Sequence, residues 1–568
     1  MKHAGLVTGL IIQLIVSLTW SRITPVFEAP DEFAHTDLIQ RMADGAPRAV
    51  IPGTSGALNR PVWSESALAH HPPLYYAALG GMVRLLAADG LRPTPISRER
   101  ATDPAGYPFT LRWAHGHDES TIRSAEVRRF HLLRSSSVLF GALSLILTYV
   151  LARRAAPGIP AAANSAVLLL AAVPTWTYSH GVLDNGNLAV TWILAALVVM
   201  TSPPRPGLFR GLTLGVFLAA ALATKLTALF LPGVVLGALL LRRISLGQAA
   251  IAMALAAASL GPFVARNLEL YGEPLGSAAH AAAFEASRIP EGYLGTYFRD
   301  VFPGQTVRTL MMRLGANDLH AAGAPIPIWI PATFLTLLAL ALIGAFLPAR
   351  RRGQLDSKNL ILLALATLGC VAIYVRFNLV FRQAQGRYLL PALPALAIFV
   401  ALGFEGVRTR LPKLSRLALP LIAASIGLGA AHLYARPQWS FDPDQVGPYA
   451  SSLTAGLRSS RANLPARLEQ PGASVTWTSQ GLDGQPVSLH LELPEAHFVA
   501  GTLEHRGLIA GTAESGSYLL PSQLLPTRDG YGPLRWKIRV LPDRSRGIHA
   551  NTALESPWKL ALSEPDPE

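Results

Sequence analysis

The stretch Glu28-Ala29-Pro30-Asp31-Glu32-Phe33-Ala34-His35 places two adjacent carboxylates and a histidine directly after the first apolar run of the chain. That run, Ala4 to Trp20, is long enough to cross a bilayer once, so the stretch is expected at a membrane surface. Ionisable groups at a membrane are costly to keep, and where they occur they usually carry function. We therefore expect the rest of the chain to build a cavity over this stretch.

The composition is that of a polytopic membrane protein. Of 568 residues, 51% are hydrophobic and only 15% are charged, and the mean hydropathy is +0.33, which is too apolar for a soluble multidomain protein. The net charge of +14 sits mostly in short loops between apolar runs, so it does not indicate a nucleic-acid surface. The single cysteine, Cys370, lies inside an apolar run and is expected to be a small core residue.

About eleven apolar runs are expected to be transmembrane helices. They are Ala4 to Trp20 and the runs at about 131–152, 161–180, 185–200, 208–223, 226–241, 247–264, 327–347, 359–376, 388–406 and 415–434. Alternate loops between them collect arginine and lysine, which mark the cytoplasmic side. This bias predicts that Asp31, the loop at about 265–326 and everything after about 435 lie on the outer face of the cytoplasmic (inner) membrane. Pro72 to Ala88 suits a helix lying along the interface.

The chain is expected to have two domains. Residues 1–435 form an all-α polytopic membrane domain, with a long first outer loop at about 21–130. After Arg436 the long apolar runs stop, and short alternating stretches such as Val487 to Leu493 and Leu534 to Val540 appear between turns, which predicts a β-sandwich-like outer domain over 436–568. That domain either packs on the membrane domain, which is the favoured reading, or binds sugar.

Asp31 and Glu32 are expected to have different tasks. Adjacent side chains on a helix diverge by about 100°, so these carboxylates cannot face one common point, whereas His35 lies one turn beyond both. One alternative is structural, because acids favour the first turn of a helix. Another is a metal site, since Glu32-x-x-His35 matches half of a carboxylate-bridged dinuclear motif. No second such half occurs in the chain, so a divalent metal is not favoured and no cofactor is assigned.

Five stretches together resemble a known family. Pro30 to His35 resembles the P-D-E-x-A-H signature of a bacterial family within the GT-C glycosyltransferase superfamily, related to protein O-mannosyltransferases and lipid A aminoarabinose transferases. Four more stretches match in the expected order: His71-Pro72-Pro73-Leu74-Tyr75-Tyr76, Thr224-Lys225, Arg266-Asn267 with Tyr271-Gly272-Glu273-Pro274, and Gln385-Gly386-Arg387-Tyr388-Leu389-Leu390-Pro391. The resemblance spans roughly residues 25 to 395 and does not include the C-terminal domain.

The resemblance implies a hexosyl- or pentosyltransferase that moves sugar from a polyprenyl-phosphate donor to a glycan, lipid or protein acceptor at the outer membrane face. Asp31 would be the general base for the acceptor hydroxyl, Glu32 would hold an acceptor or donor hydroxyl, and His35 would orient the pair. A positioned base of this kind contributes about 10²–10⁴-fold in rate.

A leaving phosphate needs fixed cations, and the matched pattern implies Arg387, Lys225 and Arg266 as donor phosphate-binding residues. Gly386 would permit close approach beside Arg387, whose guanidinium can hold two phosphate oxygens. The alternative for all three cations is that their side chains extend to the lipid headgroups.

Seven more residues are expected at the substrate cavity: His71, Tyr75, Asp184, Asn185, Asn267, Gln385 and Tyr388. Tyr75 and its neighbour Tyr76 also fit an aromatic belt at the interface. The family often has Asn-Asp where this chain has Asp184-Asn185. The segment from about Leu91 to Arg129 matches no family motif and is either an acceptor-binding insertion or a solvated loop.

Two other classes compete with a transferase. A transporter or flippase of lipid-linked sugar would place charges near the middle of its spans and often shows two related halves. In this chain the selected polar residues lie at span ends and no related halves are evident. A non-catalytic scaffold, with the outer domain binding glycan, is the third reading.

Overall fold

A computed structural model describes residues 3–24, 26, 29–45, 50–51, 68–86, 125–284, 287–311, 336, 339 and 354–408, together with six strands between 453 and 561. Contacts divide the chain into two compact units, one comprising 1–92 with 129–436 and the other 93–128 with 437–568. The expected spans at 327–347 and 415–434 lie almost entirely outside the described residues, as do Glu28 and most of the segment from Leu91 to Arg129.

Helices are the main elements in the described part of the first unit, and one isolated β-bridge joins Arg288 and Phe381. Its helices are α1 (Ala4–Ile23), α2 (Glu32–Ala43), α3 (Leu74–Leu86), α4 (Ala125–Ala155), α5 (Pro160–Ala172), α6 (Pro174–Ser179), α7 (Asn185–Thr201), α8 (Leu208–Thr224), α9 (Leu231–Leu240), α10 (Leu246–Tyr271), α11 (Ser277–Ala283), α12 (Leu294–Thr296), α13 (Phe302–Met311), α14 (Ser357–Asn378) and α15 (Leu393–Arg408). Short 3-10 turns cover Leu226–Phe230 and Gly386–Leu389, and Tyr297–Val301 is a π-helical segment.

Nine expected spans fall within the described residues and are largely helical there, except that the run at 161–180 is divided at Val173 and the run at 388–406 becomes α-helical only at Leu393. Four helices combine the length and hydropathy needed to cross a bilayer, namely Ala4–Arg22, Phe130–Ala155, Leu246–Tyr271 and Ser357–Asn378. Five shorter apolar helices accompany them, namely Pro160–Ala172, Asn185–Thr201, Leu208–Thr224, Leu226–Leu240 and Leu393–Gly406. The chain is therefore a membrane protein with several apolar helices, while the total of eleven spans stays a prediction.

Small residues bring these helices close together. A Cβ at Gly215 of α8 would lie 3.0 Å from Ala252 Cα of α10, and a Cβ at Gly211 would lie 2.9 Å from Gln248 Cα. Apolar helices in a lipid environment associate through such packing, because lipid tails are as apolar as leucine and provide no hydrophobic driving force. Cys370 is buried in the same core, as the sequence predicts.

Helix α7 connects two polar ends of the bundle. It begins after Asp184 and ends where Arg154 donates to the Val198 carbonyl and Arg210 donates to the Val199 and Ser202 carbonyls. Cations suit the carboxyl end of a helix, where carbonyls lack partners within the helix. Seventeen residues at 1.5 Å each give a length of about 25 Å, close to the thickness of a hydrocarbon core. Asp184 therefore lies one helix length from Arg154 and Arg210.

The second unit contains two three-stranded antiparallel sheets among its described residues. Strands β1 (Leu453–Ser459), β2 (Ala473–Ser479) and β4 (Ser515–Leu519) form one sheet in the order β1-β2-β4, and β3 (Val487–Glu492), β5 (Leu534–Val540) and β6 (Lys559–Ala561) form the other in the order β3-β5-β6. Leu453 pairs with Ser479, and Val487 pairs with Val540. A sandwich arrangement of the two sheets remains a prediction.

Candidate active site

Asp31 and Arg387, which are 356 positions apart, meet at the start of α2. Arg387 Nη2 donates to Asp31 Oδ2 at 2.6 Å, and Arg387 Nη1 donates to the Pro30 carbonyl at 3.3 Å. Asp31 has a left-handed backbone conformation with φ of 61° and its side chain makes no capping hydrogen bond to α2. The structural alternative, in which these acids favour the start of a helix, therefore has no capping hydrogen bond from Asp31 in its support. A left-handed aspartate stores strain, and such residues cluster at functional sites.

The two partners differ in exposure. The Asp31 side chain is 43% exposed, whereas the Arg387 side chain is 13% exposed. Burial opposes the charge on Arg387, but the negative groups around it, Asp31 first, raise its pKa above the ordinary value. The pair thus presents an accessible carboxylate next to a sheltered, permanently charged guanidinium.

The turn that carries Arg387 is fixed by its neighbours. A Cβ at Gly386 would lie 2.6 Å from the Leu310 backbone nitrogen and Cα, so only glycine fits between the turn and α13. Gln385 Oε1 accepts from Arg387 Nε at 2.6 Å, and the Tyr388 ring centroid lies 5.3 Å from the guanidinium carbon. The close approach expected of Gly386 is present, and Gln385 and Tyr388 both contact the expected phosphate-binding arginine.

Asp184 joins this arginine to Lys225. Its Oδ2 accepts from Arg387 Nη1 at 3.3 Å and its Oδ1 accepts from Lys225 Nζ at 3.0 Å. Asp184 also caps α7, because Gly186 N donates to Oδ1 at 2.5 Å. Burial raises the pKa of the Asp184 carboxyl, but Lys225, Arg387 and the cap outweigh it, and the net pKa is below the ordinary value.

The backbone conformation at the end of α8 places Lys225 beside Asp184. It ends α8 in an extended conformation with φ of −155° and ψ of 131°, and the chain then turns into Leu226–Phe230. Asp31, Asp184, Lys225 and Arg387 therefore form one cluster of two carboxylates and two cations, which we call the charged cluster. It gathers residues from four separate parts of the sequence.

Glu32 faces away from the charged cluster and pairs with Arg134. Arg134 Nε and Nη2 donate to Glu32 Oε1 and Oε2 at 2.8 and 2.6 Å, and both side chains are 0% exposed. Leu183 N donates to Glu32 Oε1 at 2.9 Å. The expectation that Glu32 holds a substrate hydroxyl does not fit this geometry, because the carboxylate is fully buried and both oxygens are already engaged.

His35 and His71 are linked through Tyr76. Tyr76 Oη lies 3.0 Å from His35 Nδ1 and 3.0 Å from His71 Nδ1, and Asn185 Nδ2 lies 3.0 Å from His71 Nδ1. Burial lowers the pKa of His35 to about 4, against the opposing effect of Asp184 and Asp31, and it lowers the pKa of His71 well below the ordinary value. Both imidazoles are neutral near pH 7. His35 hydrogen-bonds the hydroxyl of Tyr76, whereas the sequence predicted that it orients the carboxylates.

The remaining expected residues lie around these groups or serve the backbone. Tyr75 is fully buried, with its ring centroid 5.9 Å from that of His35. Asn267 Nδ2 donates to the Pro274 carbonyl at 3.1 Å, and Gly272 closes α10 in a left-handed conformation with φ of 70°. The Asn267 to Pro274 motif therefore shapes the end of α10. Arg266 lies in the same helix, half-buried, and its place at a phosphate site stays a proposal.

Sequence reasoning missed Arg134 and Tyr76 as members of the site. Tyr76 stands in a matched stretch, but Tyr75 was selected instead. Arg134 carried a usable signal, because an arginine within an apolar run needs a partner. Among the described residues, no group of three or more His, Cys, Asp or Glu side chains is arranged to hold a metal ion, and Glu32 of the Glu32-x-x-His35 half-motif is occupied by Arg134.

The fold and the site define a polytopic membrane protein with a charged cluster at one end of a helical bundle. Residues 68–248 match the model of the dolichyl-phosphate-mannose-protein mannosyltransferase family. This match confirms the relation to the GT-C glycosyltransferases that the five motifs predict. No curated protein sequence matches the chain.

The solved structures that match the chain include an ArnT and an oligosaccharyltransferase. ArnT from Cupriavidus metallidurans bound to undecaprenyl phosphate is 14% identical, with a TM-score of 0.45, and the match covers 79% of this chain and 68% of that one. The oligosaccharyltransferase of Archaeoglobus fulgidus, tethered to an acceptor peptide containing the NVT sequon, is also 14% identical with a TM-score of 0.45. That match covers 78% of this chain and 56% of the oligosaccharyltransferase.

Proposed function

We propose that this protein is a membrane glycosyltransferase that moves a sugar from a polyprenyl-phosphate donor to an acceptor hydroxyl at the outer face of the cytoplasmic membrane. The observation that carries the proposal is the Asp31–Arg387 pair, in which an accessible carboxylate lies 2.6 Å from a sheltered guanidinium. A base and an anion-binding cation must both lie within reach of one sugar ring in such a reaction, because the acceptor oxygen attacks the carbon that the phosphate leaves. The matched family supports the reaction class.

In this mechanism Asp31 is the general base. It takes the proton of the acceptor hydroxyl while that oxygen bonds to the anomeric carbon of the donor sugar. The bond between the anomeric carbon and the phosphate oxygen breaks, and its electron pair stays with the lipid phosphate. Asp31 suits the step because its side chain is the more exposed member of its pair.

Arg387 and Lys225 stabilise the departing phosphate. Both cations already contact Asp184, at 3.3 and 3.0 Å, so one buried carboxylate holds them side by side. Cations placed before reaction stabilise developing negative charge without reorganisation. Arg387 can turn two N–H groups towards phosphate oxygens, whereas Lys225 acts as a point charge. Arg266 is the third expected cation of this phosphate site.

Glu32 has a positioning role in this scheme. Its pair with Arg134 fixes the start of α2, and Arg134 Nη1 also donates to the Ser21 and Thr24 carbonyls at 2.7 and 2.6 Å. The pair therefore connects the end of α1 to the start of α2, between which Asp31 lies. The acceptor class, whether glycan, lipid or protein, and the transferred hexose or pentose are left to experiment.

The test is transfer of labelled sugar from a panel of synthetic polyprenyl-phosphate sugars by the purified full chain. Asp31→Asn keeps the shape of the side chain and tolerates the left-handed backbone, so it should fold normally and lose about 10²–10⁴-fold in rate. Asp300→Asn, which changes an exposed acid paired with Arg299, is the matched control and should retain wild-type rates. A parallel series with chelator tests the metal alternative.

Wild-type activity in Asp31→Asn would remove Asp31 as the base. If no donor of the panel is consumed, donor movement in liposomes tests the transporter reading. If the liposomes take up intact donor and no sugar is transferred, the transporter interpretation replaces the transferase proposal.

A further inference from the structure

His35, Tyr76, His71 and Asn185 form a chain of polar contacts whose hydrogen-bond direction can be worked out from their chemistry. The three links are each 3.0 Å, and they run from Asn185 of α7 through His71, which precedes α3, and Tyr76 of α3 to His35 of α2. Each imidazole nitrogen is a donor only if it carries hydrogen and is otherwise an acceptor. One arrangement makes every link attractive.

Asn185 sets the direction at one end. Its Nδ2 contacts the Thr224 carbonyl oxygen at 3.4 Å as well as His71 Nδ1. A carbonyl oxygen only accepts, so the amide NH₂ group faces it, and the same group donates to His71 Nδ1. His71 therefore accepts at Nδ1 and carries its hydrogen on Nε2.

Tyr76 transmits this direction to His35. Its single hydroxyl hydrogen must point at His71 Nδ1, because otherwise two lone pairs would face each other across 3.0 Å. The Tyr76 oxygen is then an acceptor for His35, which must carry its hydrogen on Nδ1. The low pKa values of His35 and His71 keep both rings neutral near pH 7. Each imidazole therefore carries a hydrogen on only one of its two nitrogens.

We propose that Tyr76 is a positioning residue that holds His35 as the Nδ1-protonated tautomer, so that the His35 Nε2 lone pair accepts a hydrogen bond from a sugar hydroxyl at the charged cluster. Two observations place this lone pair. The backbone nitrogen of His35 donates to the Asp31 carbonyl at 2.9 Å, which places His35 one helical turn beyond Asp31. At the other end of the contact chain, Asn185 adjoins Asp184 and contacts the carbonyl of Thr224, the residue before Lys225. The role in sugar binding rests on the proposed function, whereas the tautomer does not.

This acceptor favours a substrate that presents a hydroxyl group as a hydrogen-bond donor. A lone pair on a neutral ring accepts from an O–H group but has nothing to donate to a carbonyl or phosphate oxygen. A site with a fixed acceptor discriminates against a substrate that lacks the matching hydroxyl, because the buried acceptor is left without a partner. The hydroxyl belongs either to the donor sugar or to a sugar acceptor, and deoxy analogues of each distinguish the two.

The first experiment reads the tautomer directly. Full-length protein in nanodiscs is labelled with ¹⁵N-histidine, and the His35 signals among the 15 histidines are assigned by their loss in His35→Gln and in His35→Asn. The expected result is a protonated Nδ1 and an unprotonated Nε2 in wild type, with the Nε2-protonated form appearing in Tyr76→Phe. A wild-type His35 that carries its hydrogen on Nε2 overturns the proposal.

The second experiment uses two variants that each imitate one nitrogen. Asparagine places its amide near the Nδ1 position and glutamine near the Nε2 position, so His35→Gln keeps an acceptor at the site and His35→Asn does not. We expect KM for the sugar substrate to rise in His35→Asn about tenfold above that in His35→Gln, with less difference in kcat. Equal KM values for the two variants overturn the role in substrate binding. If no transfer occurs in wild type, the proposed function fails while the NMR result still decides the tautomer.

Discussion

Arg134 donates two hydrogen bonds, of 2.8 and 2.6 Å, to the Glu32 carboxylate, and both side chains are fully excluded from solvent. Glu32 is adjacent in sequence to Asp31, whose side chain is 43% exposed and contacts Arg387. One step along the chain thus separates a buried structural carboxylate from an accessible one. Asp31 has a left-handed backbone conformation, and the two adjacent side chains reach different partners.

Glu32→Gln is expected to destabilise the fold. Removing one member of a buried pair leaves the other charge without compensation, which costs about 3–5 kcal/mol in the free energy of unfolding. Thermal unfolding in detergent should show a large fall in Tm for Glu32→Gln. The matched control is Asp300→Asn in the exposed Arg299–Asp300 pair, for which no change in Tm is expected because surface pairs are screened by solvent. A stable but inactive Glu32→Gln would instead assign Glu32 to substrate binding.

Arg387→Lys is expected to lower kcat/KM by about 10²-fold or more, because one preorganised donor near developing charge is worth that much. The guanidinium contacts Asp31, Asp184 and Gln385 through three nitrogens at once, which one ammonium group cannot reproduce. Steady-state kinetics on the donor identified by the panel provide the measurement. Arg266→Lys is the informative comparison, since a loss as large as that of Arg387→Lys would place Arg266 at the same phosphate.

Gly386→Ala is expected to displace Arg387 without changing any polar group. The new Cβ would lie 2.6 Å from the Leu310 backbone, and backbone cannot move aside as a flexible side chain does. Overpacking of this kind costs about 1–3 kcal/mol, and we expect a lower Tm together with a raised KM for the donor. Gly261→Ala in α10 is the control, because nothing lies within 4 Å of a Cβ there, and its Tm should be unchanged or higher. Wild-type kinetics in Gly386→Ala would show that the turn tolerates the shift.

Stability is expected to fall as the pH falls from about 6.5 towards 4. The pKa of buried His35 is about 4, while an unfolded histidine has a pKa of about 6.5. Between these values the unfolded chain binds a proton that the folded chain does not, so acid favours unfolding by up to about 1.4 kcal/mol per pH unit for one such site. His71 acts in the same direction. The pKa of the Asp184 carboxyl in the folded chain is below the ordinary aspartate value. Its effect on stability therefore belongs to pH values below this window.

The measurement is Tm at pH 7.5 and at pH 5 for wild type and His35→Gln. The variant has no group that titrates at this position, so it should lose less Tm between the two conditions. An equal loss in both proteins would mean that His35 does not contribute to the acid sensitivity.

The positions of the helices were predictable because they depend on local composition. A run of apolar residues becomes a helix in a bilayer, where every backbone group must be satisfied within its own segment, and the nine expected runs within the described residues are largely helical. The charged residues of the site were also found in the sequence, since Asp31, Asp184, Lys225 and Arg387 stand out beside apolar runs. Two arguments were enough to select them, namely the cost of charge near lipid and the match to the family's motifs.

Which charge pairs with which was decided by tertiary structure alone. Asp31 and Arg387 are 356 positions apart, Glu32 and Arg134 are 102 apart, and Lys225 and Asp184 are 41 apart. Helical periodicity relates side chains three or four positions apart and carries no information over such separations. The sequence by itself thus determined the helices and the residues available for chemistry. Only the packing of α2, α4, α7, α8 and the Gly386–Leu389 turn decided that Glu32 is buried as a structural anchor and Asp31 is left accessible, because ion pairing and burial are properties of side chains brought together from distant parts of the chain.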